Sequence, residues 1–541
     1  MPGQPLAGPL AYPIFRRLWI GGIASNLGTM VQAVGAGWLM ASIVPSSDMV
    51  ALVQSATTLP VMLFSIVAGV FADSYDRRKV LMVAQLMMMT IALALALAVV
   101  SGWITPWLLL LFTFLLGCGT ALHTPSWQAA VGDVVPRDRI SAAVTLNSMG
   151  LNLTRSIGPA LGGFAVGAAG AAAAFIANAL SFVPMIHALV RWKTEGMPAT
   201  LPREGFHRAA FSGLSYVAMS PNLLAVIARS FVFGFVAIAV LALLPLVARD
   251  LIEGGAVVYG ALLGAFGIGA LAGGLANARV RARFNAERIA KGAFLGFAVC
   301  ASLIAFSREL WLTCLLLFPV GACWVLALSL FNVVLQLSTP RWVVGRTLSI
   351  YQTASFGGMT VGSWLWGAVA ESYGTPIALA ISGGMAVVGA LMGMRFAMPD
   401  LVSVDLTPLN RFREPELRMS VTHRSGPIRI MIEYEVPVEN VESFLETIAD
   451  RRRMRIRDGV RHWVLLRDLE NPMLWKETYQ FPTWADYVRF NQRPTQADAD
   501  VSERLQALSK DRRRPQVRRM IERHTVPSVD DMTIKINPEI M

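Results

Sequence analysis

Twelve long apolar runs dominate this sequence, and few folds can absorb them. A helix that crosses a bilayer needs about 20 mostly apolar residues. Runs of that kind lie near 18–42, 49–72, 80–101, 105–130, 141–167, 171–191, 221–248, 256–278, 289–307, 310–337, 347–370 and 375–397. Stretches such as Ile91 to Val100 are apolar on every helical face, which suits lipid better than water. One soluble core cannot hide twelve such runs. The expected fold class is an all-α polytopic membrane protein with twelve transmembrane helices in two six-helix halves, followed by a cytoplasmic α+β domain. The first run reads as the first span rather than as a cleavable signal, because no basic stretch followed by an apolar core precedes it.

The net charge of +12 would suggest nucleic acid if it sat on a soluble arm. It does not. Residues 1–397 hold about 23 Lys/Arg and 12 Asp/Glu, whereas residues 398–541 hold about 24 and 23. The excess lies in short loops on one side of the spans, including Arg16, Arg17, Arg77, Arg78, Lys79, Arg137, Arg139, Arg279, Arg281, Arg341 and Arg346. The loops on the other side hold only Arg249 and Arg308. Lys and Arg favour the cytoplasmic side, so both termini are expected in the cytoplasm of a bacterium whose inner membrane holds the spans. No nucleic-acid partner is implied. Cys118, Cys300, Cys314 and Cys323 fall inside the runs and read as packed, reduced thiols.

The chain divides into an N-terminal half, 1–192, a polar loop, 193–220, a C-terminal half, 221–398, a linker, 399–426, and a cytoplasmic domain, 427–541. The halves look related: Val135-Pro136-Arg137 before the fifth run mirrors Thr339-Pro340-Arg341 before the eleventh. Parallel six-span repeats are a transporter architecture, with the substrate site between the halves near mid-membrane.

Between the second and third runs stands Gly69-Val-Phe-Ala-Asp73-Ser-Tyr-Asp76-Arg77-Arg78-Lys79. This segment resembles the cytoplasmic signature loop of the major facilitator superfamily, with departures at Ser74 and Asp76. The resemblance implies that Asp73 meets the start of the eleventh span, where a carboxylate favours a helix N-terminus and holds the inward side closed. A role in topology alone is the other reading. In the fifth run, Gly158-Pro159-Ala160-Leu161-Gly162-Gly163 resembles the core of the motif of antiporter members, although Thr154 replaces an expected glycine. The resemblance implies export, while plain helix packing also suits small residues.

Ser141, Thr145, Ser148, Asn152 and Arg155 recur at steps of four, three, four and three, so they share one helix face. A cation that deep in a bilayer usually faces a cavity or a partner. The stripe lines the transport pathway or forms a polar seam. Gln352 and Ser355 take the places of Thr145 and Ser148 in the second half, and Asn26 and Gln32 add polar positions on the first run. His123 is a lone histidine, read as a packing residue before a proton carrier. No Asp or Glu stands mid-run, so proton coupling is implied by the family rather than by these residues.

After Pro399 the composition becomes charged. Ile428 to Val436 alternates as a strand, Val441 to Met454 reads as a helix, and two strands flank Asn471-Pro472. Helical stretches at Trp484 to Asn491 and Val501 to Leu508 precede a last strand at Val517 to Thr525, giving a ferredoxin-like order. The tail resembles the dimeric α/β-barrel fold of antibiotic-biosynthesis monooxygenases, without implying oxygenase chemistry. Arg455-x-Arg457-Asp458-Gly459, Trp475-x-Glu477-Thr478-Tyr479 and Thr124-Pro125-Ser126-Trp127-Gln128-Ala129 resemble the transmembrane secretion effector family, related to enterobactin exporters.

The resemblance implies a secondary exporter of a siderophore, drug or lipophilic metabolite, and not an enzyme. Its partners would be membrane lipids and a small-molecule substrate, with protons and a homodimer through the tail as open options. No cofactor or metal spacing is seen. Two other readings stay open: a membrane-anchored enzyme or sensor formed by the tail, and a lipid flippase on the same scaffold.

Overall fold

The computed structural model describes residues 9–74, 76–136, 139–192, 213–340, 342–398, 409, 412, 414–493, 495–510 and 515–522. Helices occupy all twelve apolar runs. They are α1 (Pro13–Ile43), α2 (Ser47–Ser74), α3 (Arg77–Val100), α4 (Pro106–Val134), α5 (Ile140–Ser181), α6 (Val183–Arg191), α7 (Pro221–Leu246), α8 (Ala256–Arg283), α9 (Ala286–Ile304), α10 (Leu310–Leu337), α11 (Val344–Tyr373) and α12 (Thr375–Leu391). The fifth run and the first part of the sixth lie in α5, which turns at Gly170 with φ 78° and ψ 173°, a conformation that only glycine adopts freely, and the sixth continues through α6.

The starts are set by local chemistry. Asp76 accepts from the Arg78 amide at α3, and Asn285 accepts from the Arg288 amide at α9. At α4, Thr105 accepts from the Leu108 amide and Pro106 fills the first turn.

Among the described residues, eight helical segments are long and apolar enough to cross a membrane by length and composition. The helices α1, α9 and α11 fall outside that set. α9 carries Glu287, Arg288 and Lys291 in its first turns, α11 carries a file of hydroxyls, and α1 is rich in Gly, Ser and polar amides. Leu97, Val100, Trp107 and Phe164 remain more than half exposed, as a surface solvated by lipid requires. α7 with the turn Val247–Leu251 is the most enclosed of the eight segments.

The chain forms two compact units. The larger holds 1–196, 222–335 and 348–400, and the smaller holds 197–221, 336–347 and 401–541. The smaller unit is built on a four-stranded antiparallel sheet of order β2-β3-β1-β4, from β1 (Ile428–Glu435), β2 (Arg461–Arg467), β3 (Leu474–Phe481) and β4 (Gln516–Ile521). Helix α13 (Val441–Arg457) joins β1 to β2, while α14 (Trp484–Gln492) and α15 (Gln496–Leu508) lie between β3 and β4. Ile428, Ile430, Ile432 and Tyr434 alternate onto the buried face of β1, opposite Phe481, Tyr479, Glu477 and Trp475 of β3. They pack with Phe444 and Ile448 of α13. This period-two burial is what the alternation in the sequence demands.

Candidate functional site

Arg155 is the one cation of the expected stripe whose surroundings are described. The side chains of Thr145, Ser148 and Asn152, like those of Gly69 and Asp73, lie outside the described residues. Along α5, Met149, Leu153, Ile157, Leu161 and Phe164 form an exposed apolar stripe suited to lipid. Arg155 is exposed too, but by the helical period it sits on the opposite side. Among the described residues it has no ion-pair partner.

The glycine motif explains what flanks it. A Cβ on Gly158 would lie 2.5 Å from Met30 Cβ, and one on Gly162 would lie 3.0 Å from Val31 Cα, so these two seat α5 on α1. A Cβ on Gly163 would lie 2.6 Å from Gly260 Cα, and one on Gly260 would lie 3.1 Å from the Pro159 carbonyl oxygen. Gly163 and Pro159 therefore seat α5 on α8, across the two halves. By the helical period Arg155 falls on the face of α5 between these two seats. The motif read as one signature makes two separate contacts, one within a half and one between halves.

The halves also meet along α2 and α11. Ser55 Oγ lies 2.6 Å from Ser363 Oγ, Thr58 Oγ1 lies 2.8 Å from Thr360 Oγ1, and Ser65 Oγ lies 2.8 Å from Thr353 Oγ1. At the end remote from the basic loops, the Ser47 amide donates to Glu371 Oε2 at 2.5 Å. There Arg249 Nη1 also donates to the carbonyl oxygens of Ala41 (2.6 Å) and Val44 (3.2 Å), closing the last turn of α1 from the other half. Its Nε meanwhile donates to Asp250 Oδ1 at 2.6 Å.

Other expected positions sit elsewhere. Gln32 is buried and accepts from Asn178 Nδ2, inside the N-terminal half. Ser355 is buried, and its backbone lies so close to Gly234 that a Cβ there would be 2.6 Å from the Ser355 oxygen, inside the C-terminal half. Asn26 and Gln352 are half-buried. Arg77 Nη1 donates to both oxygens of Asp133, at 2.6 and 2.7 Å. Arg78 donates from Nε to the Leu189 oxygen (2.8 Å) and from Nη2 to the Val190 oxygen (3.0 Å), capping α6.

Two features escaped the sequence reading. Glu287 Oε2 lies 2.5 Å from Nη1 of the fully buried Arg229 and also accepts from the Met398 amide at 3.0 Å. The hydroxyl seam was the other, although its spacing was on the page: Ser55, Thr58 and Ser65 step by three and seven, and Thr353, Thr360 and Ser363 by seven and three.

In the smaller unit, Glu477 is fully buried and accepts from Arg451 Nε (3.0 Å), the Tyr434 hydroxyl (2.8 Å) and Trp463 Nε1 (3.0 Å). Burial pushes its carboxyl up, but Arg451 and Arg455 outweigh that and hold it below its ordinary range. The tail also grips the loop segments of its unit. The Arg457 guanidinium lies 4.9 Å from the Tyr216 ring, that of Arg493 lies 4.1 Å from the Trp342 ring, and the two rings meet edge-on at 5.7 Å.

Long apolar helices in two halves joined by a hydroxyl seam agree with a membrane transporter of the major facilitator fold. The model of the transmembrane secretion effector family matches residues 4–526, and the chain belongs to that family. It is 26% identical over 412 residues to the multidrug efflux pump Tap of Mycolicibacterium fortuitum, covering 74% of this chain and 98% of that protein. It is also 26% identical over 157 residues to the staphyloferrin A transporter of Staphylococcus aureus. That match spans 29% of this chain and only 40% of the relative. A solved bacterial homolog of the human lysosomal transporter Spinster, inward-facing and occupied, superposes with a TM-score of 0.60. Its identity is 12%, with coverage of 72% of this chain and 97% of that one, which speaks for the fold alone.

Proposed function

We propose that this chain is a secondary active exporter that moves a small molecule, such as a siderophore, drug or lipophilic metabolite, out of a bacterial cell by alternating access. The observation that carries the reading is the placement of Arg155: a cation without an ion-pair partner among the described residues, set by the helical period between the α1 and α8 seats of α5, while Arg249, Glu371 and the Gly163–Gly260 crossing close the end remote from the basic loops. By the positive-inside rule that closed end faces outward, so the space between the halves is reached from the cytoplasm, where an exporter collects its cargo. Both termini and the ferredoxin-like tail then lie in the cytoplasm, and the spans lie in the inner membrane.

Thr145, Ser148, Asn152, Arg155 and Gln352 line the path in this reading, and Asp73 with Arg77 and Arg78 governs closure of the inward side. An inward proton gradient supplies the drive. A cation on the path favours cargo that is anionic or rich in acceptor oxygens. The test is efflux from loaded cells, with and without a collapsed proton gradient, across a panel of siderophores, macrolides and dyes. Arg155→Ala should slow efflux by at least about tenfold with the melting temperature unchanged. Efflux equal to the parent chain would remove Arg155 from the path, and retention indifferent to deletion of the protein would sink the exporter reading.

A further inference from the structure

Four polar atoms between α3 and α4 are buried without a partner: both amide atoms of Gln85, Nε2 of His123 and Oγ of Ser126. Gln85 and Ser126 are wholly buried, whereas His123 as a residue is partly exposed with its Nε2 enclosed. The register of the antiparallel pair brings them together. A Cβ on Gly119 would lie 2.3 Å from Met88 Cγ, and Thr120 Oγ1 donates to the Met88 sulfur at 3.8 Å. One turn nearer the basic end, Gln85 on α3 is level with His123 on α4, and Ser126 follows on the same face. Apolar side chains close both sides: Leu81, Trp127 and Met185 belong to the cluster below, and Met88, Leu116 and Phe182 to the cluster above.

Buried polar atoms are normally bonded, and a group of orphans this close together marks a place that takes up water or a ligand. The second half supplies an internal control. Asn285 starts α9 as Asp76 starts α3, and Pro340 follows α10 as Pro136 follows α4. The glycine contact reappears with the glycine on the other helix: Gly296 of α9, the counterpart of Met87, meets Cys323, the counterpart of Gly119, which itself lies near Met87. In that frame Gln85, His123 and Ser126 correspond to Phe294, Ala327 and Leu330, all fully buried in an aromatic and aliphatic core. The scaffold therefore needs only apolar filling at this spot, and the N-terminal half has replaced it with three polar side chains.

We infer that Gln85, His123 and Ser126 form a hydrated proton-exchange site, with His123 carrying the proton and the Gln85 amide and Ser126 hydroxyl holding the water that reaches it. This deepens the proton-driven export reading and rests on it for its role in transport. His123 meets two environments: the residue is partly exposed, while its Nε2 is enclosed at the level of Gln85. It stacks on Trp127 at 6.5 Å, whose Nε1 donates to Asn147 Oδ1 at 3.1 Å, linking the site to α5. The titratable and charged groups on the helices around it are Arg16 and Arg17 on α1, Asp48 and Asp73 on α2, Arg77, Arg78 and Lys79 on α3, Asp133 on α4, Arg155 on α5, and His187 and Arg191 on α6. Among the described side chains, none pairs with the imidazole.

The first test needs no substrate. The full chain is placed in lipid with its histidine ring nitrogens labelled, and His123→Asn assigns the signal among the six histidines. The His123 signals should move between neutral and doubly protonated positions across pH 4 to 8, and Gln85→Leu or Ser126→Ala should displace that change while shifting the melting temperature by no more than about 2 °C. A ring held in one neutral tautomer throughout, indifferent to both variants, would overturn the site. The second test uses proteoliposomes with ethidium as the transported probe and an imposed pH gradient. His123→Asn should lose at least about tenfold of gradient-driven accumulation while keeping downhill exchange, and full gradient-driven accumulation would overturn the coupling role. If ethidium moves in neither protein, export of that probe fails, and the labelled-histidine result alone decides the site.

Discussion

The basic ends of the two helical halves solve one packing problem in opposite ways. In the first, a Cβ on Gly21 of α1 would lie 2.7 Å from Met185 Cα, so the backbones of α1 and α6 nearly touch, and Arg78 caps α6 through the oxygens of Leu189 and Val190. In the second, the small residue has changed sides. The Glu287 carboxylate fills the space that Gly393 leaves after α12, with Nη1 of Arg229 from α7 behind it, and Glu287 joins that guanidinium to the Met398 amide. The first end is closed by close approach and a partly exposed cation; the second is closed by a buried ion pair. A buried pair gives weak net stability, but its rupture strands a charge. The second end should therefore be the more brittle.

The largest effect should come from Glu287→Ala, which strands Arg229 and should cost about 3 to 5 kcal/mol in unfolding of the detergent-solubilised chain. Arg229→Met leaves only the part-exposed Glu287 and should cost clearly less; equal costs would refute the burial asymmetry. The smaller unit offers a parallel in Glu477. Glu477→Gln should cost a comparable about 3 kcal/mol, read by faster hydrogen exchange along β3. Because the folded value lies below the ordinary 4.5, the parent's advantage should be complete above that value and vanish as pH falls through the folded one.

In the first half, Gly21→Leu forces a side chain against backbone and should cost about 1 to 3 kcal/mol. Arg78→Met removes the α6 cap for about 1 kcal/mol. Smallest of all, Thr58→Val on the cross-half seam should cost about 0.6 kcal/mol, the usual size of an intramembrane hydrogen bond.

Helix positions were legible because apolar runs and turn residues are local signals; even the break at Gly170 falls between two runs read as separate spans. The alternation of Ile428, Ile430 and Ile432 placed β1 for the same reason. Partnerships were harder. Glu287 sits at the first turn of its helix, where sequence alone suggests a loop, and nothing local points from it to Arg229, far away in the chain. Gln32 looked like a pathway residue because a polar side chain in an apolar run invites that reading, yet its partner Asn178 lies in the same half. Arg249 appeared only as an exception to a charge rule, since its acceptors are backbone oxygens and leave no trace in side-chain identity.

The hydroxyl seam between α2 and α11 has a consequence for motion. A hydroxyl is donor and acceptor at once, so neither side of a Ser–Thr pair is committed to one role. Thr58 and Thr360 also have a second outlet on their own helices: Thr58 Oγ1 reaches the Gln54 oxygen at 2.9 Å, and Thr360 Oγ1 reaches the Phe356 oxygen at 2.8 Å. In the alternating-access cycle proposed above, Thr58 and Thr360 would fall back on their own backbones as the halves part, and neither hydroxyl would be left without an acceptor. Arg249 would then be a bolt that must be drawn, and this pair a bearing that parts and closes again with little friction.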